Sequence, residues 1–174
     1  MIKNKYCNYC GTAFTQCEVY PRVCVECNIS IWSNPIPVSV TLLSVWDGLK
    51  RGALIQKRNI EPHKGQWALH GGYLNFGEDW KDGAVRELKE ELNLDIPSSD
   101  VRLYDVIDAI NGNLLIFNTV STIINFSSIN FVPNHEVSEI KIIYKPEELA
   151  FPSHTKMLER YIHECGINDD PARR

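Results

Sequence analysis

The sequence predicts an α/β fold: a mixed sheet with helices packed on its faces, preceded by a small cysteine-rich module. Three observations carry this. Five of the six cysteines fall within the first 27 residues, ahead of any periodic apolar structure. From residue 38 onward, short apolar runs bounded by turn formers recur, as strands do. Two segments, 79–92 and 153–165, instead space their apolar residues three and four apart, as helices do.

Residues 1–34 are rich in Cys, Tyr, Asn and turn formers. Asn34-Pro35-Ile36-Pro37 is a natural joint, since each proline extends the residue before it and removes a backbone donor. The domains expected are therefore 1–34 and 35–174. Val38–Trp46 and Gly52–Arg58 read as strands around the Asp47-Gly48 turn. Residues 59–66, with Pro62 and Gly65, form a loop, and Trp67–Tyr73 is a short apolar segment ending in glycines. Val101–Ile110 and Leu114–Ile124 read as a hairpin about Asn111-Gly112. Glu139–Tyr144 is a further strand. Ser153 is the expected N-cap of a last helix carrying Met157, Leu158, Tyr161 and Ile162 on one face.

The 174 residues suit one sizeable core with a small appendage. A formal net charge of −4 argues against a strongly basic nucleic-acid binder. No apolar run approaches the roughly 20 residues a membrane span needs. The start, MIKNKYCNYCG, lacks the apolar stretch of a secretory signal. The expectation is a cytoplasmic protein without membrane contact. In such a reducing compartment, clustered cysteines point to metal and not to disulfides. Cys7, Cys10, Cys24 and Cys27 form CxxC-x13-CxxC, two tight turns able to aim four thiolates at one Zn²⁺. Four protein ligands leave no open coordination position, so this zinc ribbon is expected to be structural. Cys17 and Cys165 read as plain thiols. Lys3, Lys5 and Arg22 are balanced by Glu18 and Glu26, which is no clear basic patch.

The segment 79–92 is the chemically telling one. With Arg86 at zero and about 100° per residue, Glu90 falls near 40°, Glu87 near 100° and Glu91 near 140°. Ala84, Val85, Leu88 and Leu92 fill the adjoining sector. Three carboxylates on one side repel one another. A hard divalent cation among them, Mg²⁺ or Mn²⁺, resolves the repulsion. Arg86 can pair with a carboxylate and hold it. Glu78 precedes the helix, where negative charge suits the dipole, and Gly71, Gly72 and Gly77 permit a tight loop there. A solvated amphipathic helix is the plainer reading of Arg86–Leu92 taken alone.

The longer spacing resembles the Nudix box, G-x5-E-x7-R-E-U-x-E-E-x-G-U, with U bulky and aliphatic. Gly72, Glu78, Arg86, Glu87, Leu88, Glu90, Glu91 and Leu94 each match. Asn93 stands where the pattern has glycine, and Asn is the next best residue for a left-handed helix end. The resemblance implies the Nudix α/β/α sandwich and an active hydrolase. It also implies Mg²⁺ or Mn²⁺ that bridges a diphosphate and activates water. Carried over by position, Glu87, Glu90 and Glu91 are the side-chain ligands and the Gly71 carbonyl a backbone ligand. Arg86 orients a carboxylate, and Glu78 has a supporting or ligand role. The general base is a box glutamate or a later acid, Glu136 or Glu139. The plainer reading of those two is surface loop charge. His70 either faces the nucleotide or fills a turn.

A ribbon ahead of a Nudix domain is similar to the NADH pyrophosphatase group, but the Ser-Gln-Pro-Trp segment of that group is absent. A closer resemblance is to zinc-ribbon hydrolases of the FAD and ADP-ribose pyrophosphatase kind. It rests on Cys7–Gly11, Asn34-Pro35, Lys57–Pro62, Gly65-Gln66-Trp67, Gly72-Tyr73-Leu74 and Leu149-Ala150-Phe151. It implies cleavage of such a dinucleotide or nucleotide sugar to AMP plus the other phosphate half. NADH, a nucleoside triphosphate, capped RNA, or a non-catalytic nucleotide- or RNA-binding module are the rival readings. Trp67, Tyr73, Phe76 and Trp80 are expected mostly in the core. A homodimer is common among the related ADP-ribose hydrolases.

Overall fold

The computed structural model describes residues 5–15, 20–109 and 112–167. Its contacts divide the chain into two compact units, Met1–Pro35 and Ile36–Arg174. In the first, β1 (Arg22–Val23) and β2 (Ser30–Ile31) pair antiparallel. Cys7, Cys24 and Ile31 form its buried centre. Cys17 lies outside the described residues.

The second unit is built on one long strand, β3 (Ile36–Trp46), followed by β4 (Arg51–Arg58). Next come β5 (Trp67–Ala68), β6 (His70–Tyr73) and helix α1 (Trp80–Leu92). β7 (Val101–Asp108), β8 (Asn113–Val120), β9 (Ile124–Asn125) and β10 (Val137–Ile143) follow, and helix α2 (Pro152–Glu164) closes the unit. The main sheet runs β10-β4-β3-β8-β7, with β5 on β4 and β6 and β9 on β3. β3 is parallel to β8 and β9 and antiparallel to β4 and β6, so the sheet is mixed.

Alternation along β3 and β4 decides which helix covers which face. Val40, Leu42, Ala53 and Ile55 point to the α2 side, where they meet Met157, Leu158, Tyr161 and Ile162. Leu43, Val45 and Leu54 point to the α1 side, against Leu88 and Leu92. One helix on each face makes the α/β/α sandwich. Buried polar groups in the sheet are paired: Thr41 donates to Asn118 at 2.8 Å, and Asn118 donates to Ser39 at 2.9 Å. These bonds tie the β3–β8 register, which a one-residue slip would break.

Three expectations are corrected. Ser153 is not the cap of α2. Phe151 is the N-cap residue, Pro152 takes the first turn, and no side chain caps the helix. Proline suits that position because it has no N–H to leave unpaired. The strand expected over 114–124 ends at Val120 and resumes as β9. Most of the aromatics near the box are not core: Tyr73 and Phe76 are exposed and Trp80 is half-buried, while Trp67, half-buried, packs against the α2-side core. Of the expected Asn111-Gly112 turn, Asn111 and Ile110 lie outside the described residues, while Gly112 has φ 80°. No helix among the described residues is long and apolar enough to cross a membrane.

Candidate active site

Helix α1 is set in place at both ends. Asp79 caps its start, its side chain accepting from the Lys81 N–H at 2.9 Å. Asn93 ends it at φ 57°, with its N–H on the Lys89 carbonyl at 3.0 Å. Between these ends Glu87 and Glu91 do not face bulk water. They are 6% and 4% exposed and pack against β6.

Two glycines allow that approach. A Cβ on Gly72 would lie 2.6 Å from the Glu87 carboxylate, and one on Gly71, at φ 135°, would lie 2.0 Å from the Ser39 carbonyl. With side chains absent, the Gly71 N–H donates to Glu91 at 3.0 Å. The Gln56 amide nitrogen donates to the other Glu91 oxygen. His70, wholly buried, sets Nδ1 2.9 Å from the Gln56 amide oxygen and Nε2 3.2 Å from the Leu54 carbonyl. Thus His70 supports Glu91 through Gln56 and does not line the cleft.

Arg86 is shared among several acids. Its Nε and one terminal nitrogen bind Glu78 at 2.8 and 3.0 Å. The other terminal nitrogen binds Glu87 at 2.7 Å and Glu90 at 3.1 Å. Arg86 thereby holds the Glu78 carboxyl down at about 2. Burial pushes the Glu87 carboxyl up to about 7; Arg86 opposes this, while Glu91 and Glu90 add to it.

The structure brings in a third acid from far along the chain. Asn134 donates to the Glu90 and Glu91 carbonyls at the end of α1, at 3.2 and 3.3 Å. Its side-chain oxygen accepts from the Glu136 and Val137 N–H groups, both at 2.9 Å. This clamp sets Glu136 beside the helix. Carboxylate oxygens of Glu87, Glu91 and Glu136 lie within 4.8 Å of one another. Glu90 is outside that trio, with a half-exposed side chain beside Arg86. Glu139 is paired with Lys57 at 3.2 Å and does not line the cleft. Asn134 and Gln56 carry no sequence signal as site residues; only the fold reveals them.

The acids form one end of a cleft of about 470 Å³. Val38, Val40, Leu69 and Leu115 line its apolar wall, and Arg58, Phe151, Ser153 and His154 line it as well. Oxygen donors this crowded and this buried fit a hard divalent cation, because Arg86 offsets only part of their charge.

In the cysteine unit the four Sγ atoms lie within 4.8 Å of one another, with Cys7–Cys27 at 3.7 Å and Cys10–Cys24 at 3.5 Å. Four thiolates roughly 2.3 Å from a tetrahedral Zn²⁺ stand about 3.8 Å apart, so the donor set fits that ion. Each CxxC turn closes on a left-handed residue, Gly11 at φ 78° and Asn28 at φ 54°. The Ile29 N–H favours the Cys27 thiolate, yet burial and the other cysteines push it up to about 12.

Fold and box together define a hydrolase of nucleoside diphosphate derivatives. A NUDIX domain model matches residues 35–164, most of the chain, and the chain belongs to that family. Enzymes of this family generally use divalent metal ions.

Solved structures share the fold. The NUDIX hydrolase of Nitrosomonas europaea is 22% identical, with 92% of this chain and 91% of that one covered and a TM-score of 0.63. The NUDIX domain of Shewanella oneidensis NrtR, solved with ADP ribose, is 16% identical, with 77% and 90% covered and a TM-score of 0.63. A MutT/nudix family protein of Enterococcus faecalis is 17% identical at a TM-score of 0.59, with 69% of this chain covered. This chain spans about half (49%) of that protein's length. No curated protein matches the chain.

Proposed function

We propose that this chain hydrolyses the pyrophosphate bond of a nucleoside diphosphate joined to a second moiety, with FAD and ADP-ribose as the leading substrates. AMP and a second phosphate would be released. The observation that carries this is the meeting of Glu87, Glu91 and Glu136 at one end of a nucleotide-sized cleft. The ADP ribose bound by the NrtR domain of similar fold supports the choice of ligand.

Glu87, Glu90 and Glu91, with the Gly71 carbonyl, would hold Mg²⁺ or Mn²⁺. When bound, the metal neutralises the diphosphate, stabilises charge at phosphorus and lowers the pKa of the attacking water. Gln56 and the Gly71 N–H orient Glu91. Arg86 orients Glu87 and is itself anchored by Glu78. Glu136 comes from a loop and accepts the proton as water attacks phosphorus and the bond to the bridging oxygen breaks. The acids alone would repel a diphosphate, so a bound cation is part of the reading. Residues 1–34 act as a zinc ribbon with Cys7, Cys10, Cys24 and Cys27 as ligands, ahead of a hydrolase domain over 35–174.

The test is a hydrolysis screen over FAD, ADP-ribose, NADH and nucleoside triphosphates with Mg²⁺ or Mn²⁺, read by product mass. AMP from FAD or ADP-ribose is expected. No turnover of any of them contradicts the reading.

A further inference from the structure

Asn134, which clamps the Glu136 loop onto α1, is gripped in turn by the loop that follows β4. β10 pairs with β4 as far as Val137 opposite Arg58. The next pair of residues continues the contact: the Asn59 N–H donates to the Glu136 carbonyl at 2.7 Å. The Asn59 side chain adds a second bond, from Nδ2 to the Asn134 carbonyl at 2.9 Å. Every polar group of Asn134 is then paired. Its N–H donates to the Val137 carbonyl at 2.8 Å and its carbonyl accepts from Asn59. Its Oδ1 accepts from the Glu136 and Val137 N–H groups, and its Nδ2 reaches the last carbonyls of α1.

Asn59 stands on a firm base. The Arg58 N–H donates to the Gln66 carbonyl at 2.9 Å and the Gly65 N–H to the Arg58 carbonyl at 2.8 Å, which closes loop 59–66 at its neck. The Arg58 Nε donates across the loop to the Pro62 carbonyl at 2.8 Å. Asn59 is half-buried at that neck, while Ile60, Glu61 and Pro62 of the same loop line the cleft. The residue type suits the contact. An aspartate of the same size would set an acceptor against the Asn134 carbonyl, and an alanine has no donor.

Glu136 needs such a hold. Its carboxylate lies within 4.8 Å of those of Glu87 and Glu91, and like charges that close repel, so the trio does not draw Glu136 in by itself. The His135 ring lies 3.0 Å from the Glu136 carboxylate, but its side chain is 83% exposed, and a surface pair of that kind holds little. The backbone of Glu136 is fixed instead, by Asn134 at its N–H and by Asn59 at its carbonyl.

We propose that Asn59 is a positioning residue: its side-chain amide locks Asn134, and through Asn134 it sets the Glu136 carboxylate against the acids of α1. The catalytic consequence rests on the proposed hydrolysis, with Glu136 as proton acceptor. The clasp itself can be read without turnover.

Amide hydrogen exchange on the full chain reads the clasp. Asn59→Ala and the isosteric Asn59→Asp keep the backbone bond to Glu136 and lose the amide donor. Exchange at the Glu136 and Val137 N–H groups should quicken about fivefold or more, the scale of one hydrogen bond, with α1 and β3 unchanged. Kinetics on ADP-ribose and FAD with Mn²⁺ read the consequence. Both variants should lower kcat about fivefold or more and keep KM within about twofold, because Asn59 acts through Glu136 and not on the substrate. On a Glu136→Gln background, Asn59→Ala should cost nothing further. If Asn59→Ala fails to fold, Asn59→Asp carries the same tests. Unchanged exchange at Glu136 and Val137 overturns the proposal. So does a rise in KM alone, or a loss just as large on the Glu136→Gln background, since either makes Asn59 part of the cleft rim. A wild-type chain that hydrolyses nothing, with exchange quickened in the variants, supports the clasp and sinks the proposed reaction. One that hydrolyses FAD or ADP-ribose, with exchange and kcat unchanged in the variants, sinks the clasp alone.

Discussion

Glu87 and Glu91 stand one helical turn apart, and the protein handles them differently. Glu87 is paired with Arg86, whereas Glu91 takes a backbone N–H and the Gln56 amide and has no arginine against it. Glu91→Gln should keep the fold, since the replacement is isosteric, and lower kcat by about 100-fold or more, measured beside a far-ultraviolet circular dichroism spectrum. The neighbouring glycines separate site from scaffold. A methyl on Gly72 meets the far end of the Glu87 side chain, which can swing aside. Gly72→Ala should therefore leave stability within about 1 kcal/mol and still lose most activity. A methyl on Gly71 meets the Ser39 carbonyl on a backbone at φ 135°. Gly71→Ala should cost about 3 kcal/mol in urea unfolding.

Helix α1 was legible as an element because its boundary chemistry is local. Asp79 caps its start and Asn93 adopts the left-handed conformation at its end. Asn93→Ala should cost about 1 kcal/mol of unfolding free energy, whereas Asn93→Gly should cost nothing, since glycine is the residue that this left-handed end favours. The start of α2 was misplaced, because Ser153 carries the usual cap signal while Pro152 before it fixes the first turn. The loop at 134–136 shows where local reading stops. Glu136 and Glu139 look alike in sequence, and only the Asn134 clamp onto α1 separates one near the helix acids from one paired with a surface lysine. Asn134→Ala should lower kcat several-fold while moving the melting temperature by no more than a few degrees, because it releases a loop and not the core.

Across the whole molecule, the sheet brings together residues far apart in the chain: Gln56, Gly71, Glu91, Glu136 and His154. The box made the helix acids legible, since their spacing is local. Gln56, Phe151 and His154 reach the cleft through strand pairing and helix packing, which leave no fixed spacing to read. Gathering acids in a buried place also has a thermodynamic sign. The Glu87 carboxyl ionises near 4.5 when unfolded and at about 7 when folded. Between those values the folded chain holds the extra proton, so in metal-free buffer this group makes stability fall as pH rises from about 4.5 through 7. Glu78 acts oppositely: its carboxyl is held at about 2, and its contribution is present above 4.5 and lost as pH falls through 2. Added Mn²⁺ should therefore raise the melting temperature more at pH 8 than at pH 5. The most direct test is a calorimetric titration of Mn²⁺ into the zinc-loaded chain and its Glu91→Gln variant at pH 8. The account predicts saturable Mn²⁺ binding that weakens at least tenfold in the variant. Equal binding by both, or none by either, would contradict it.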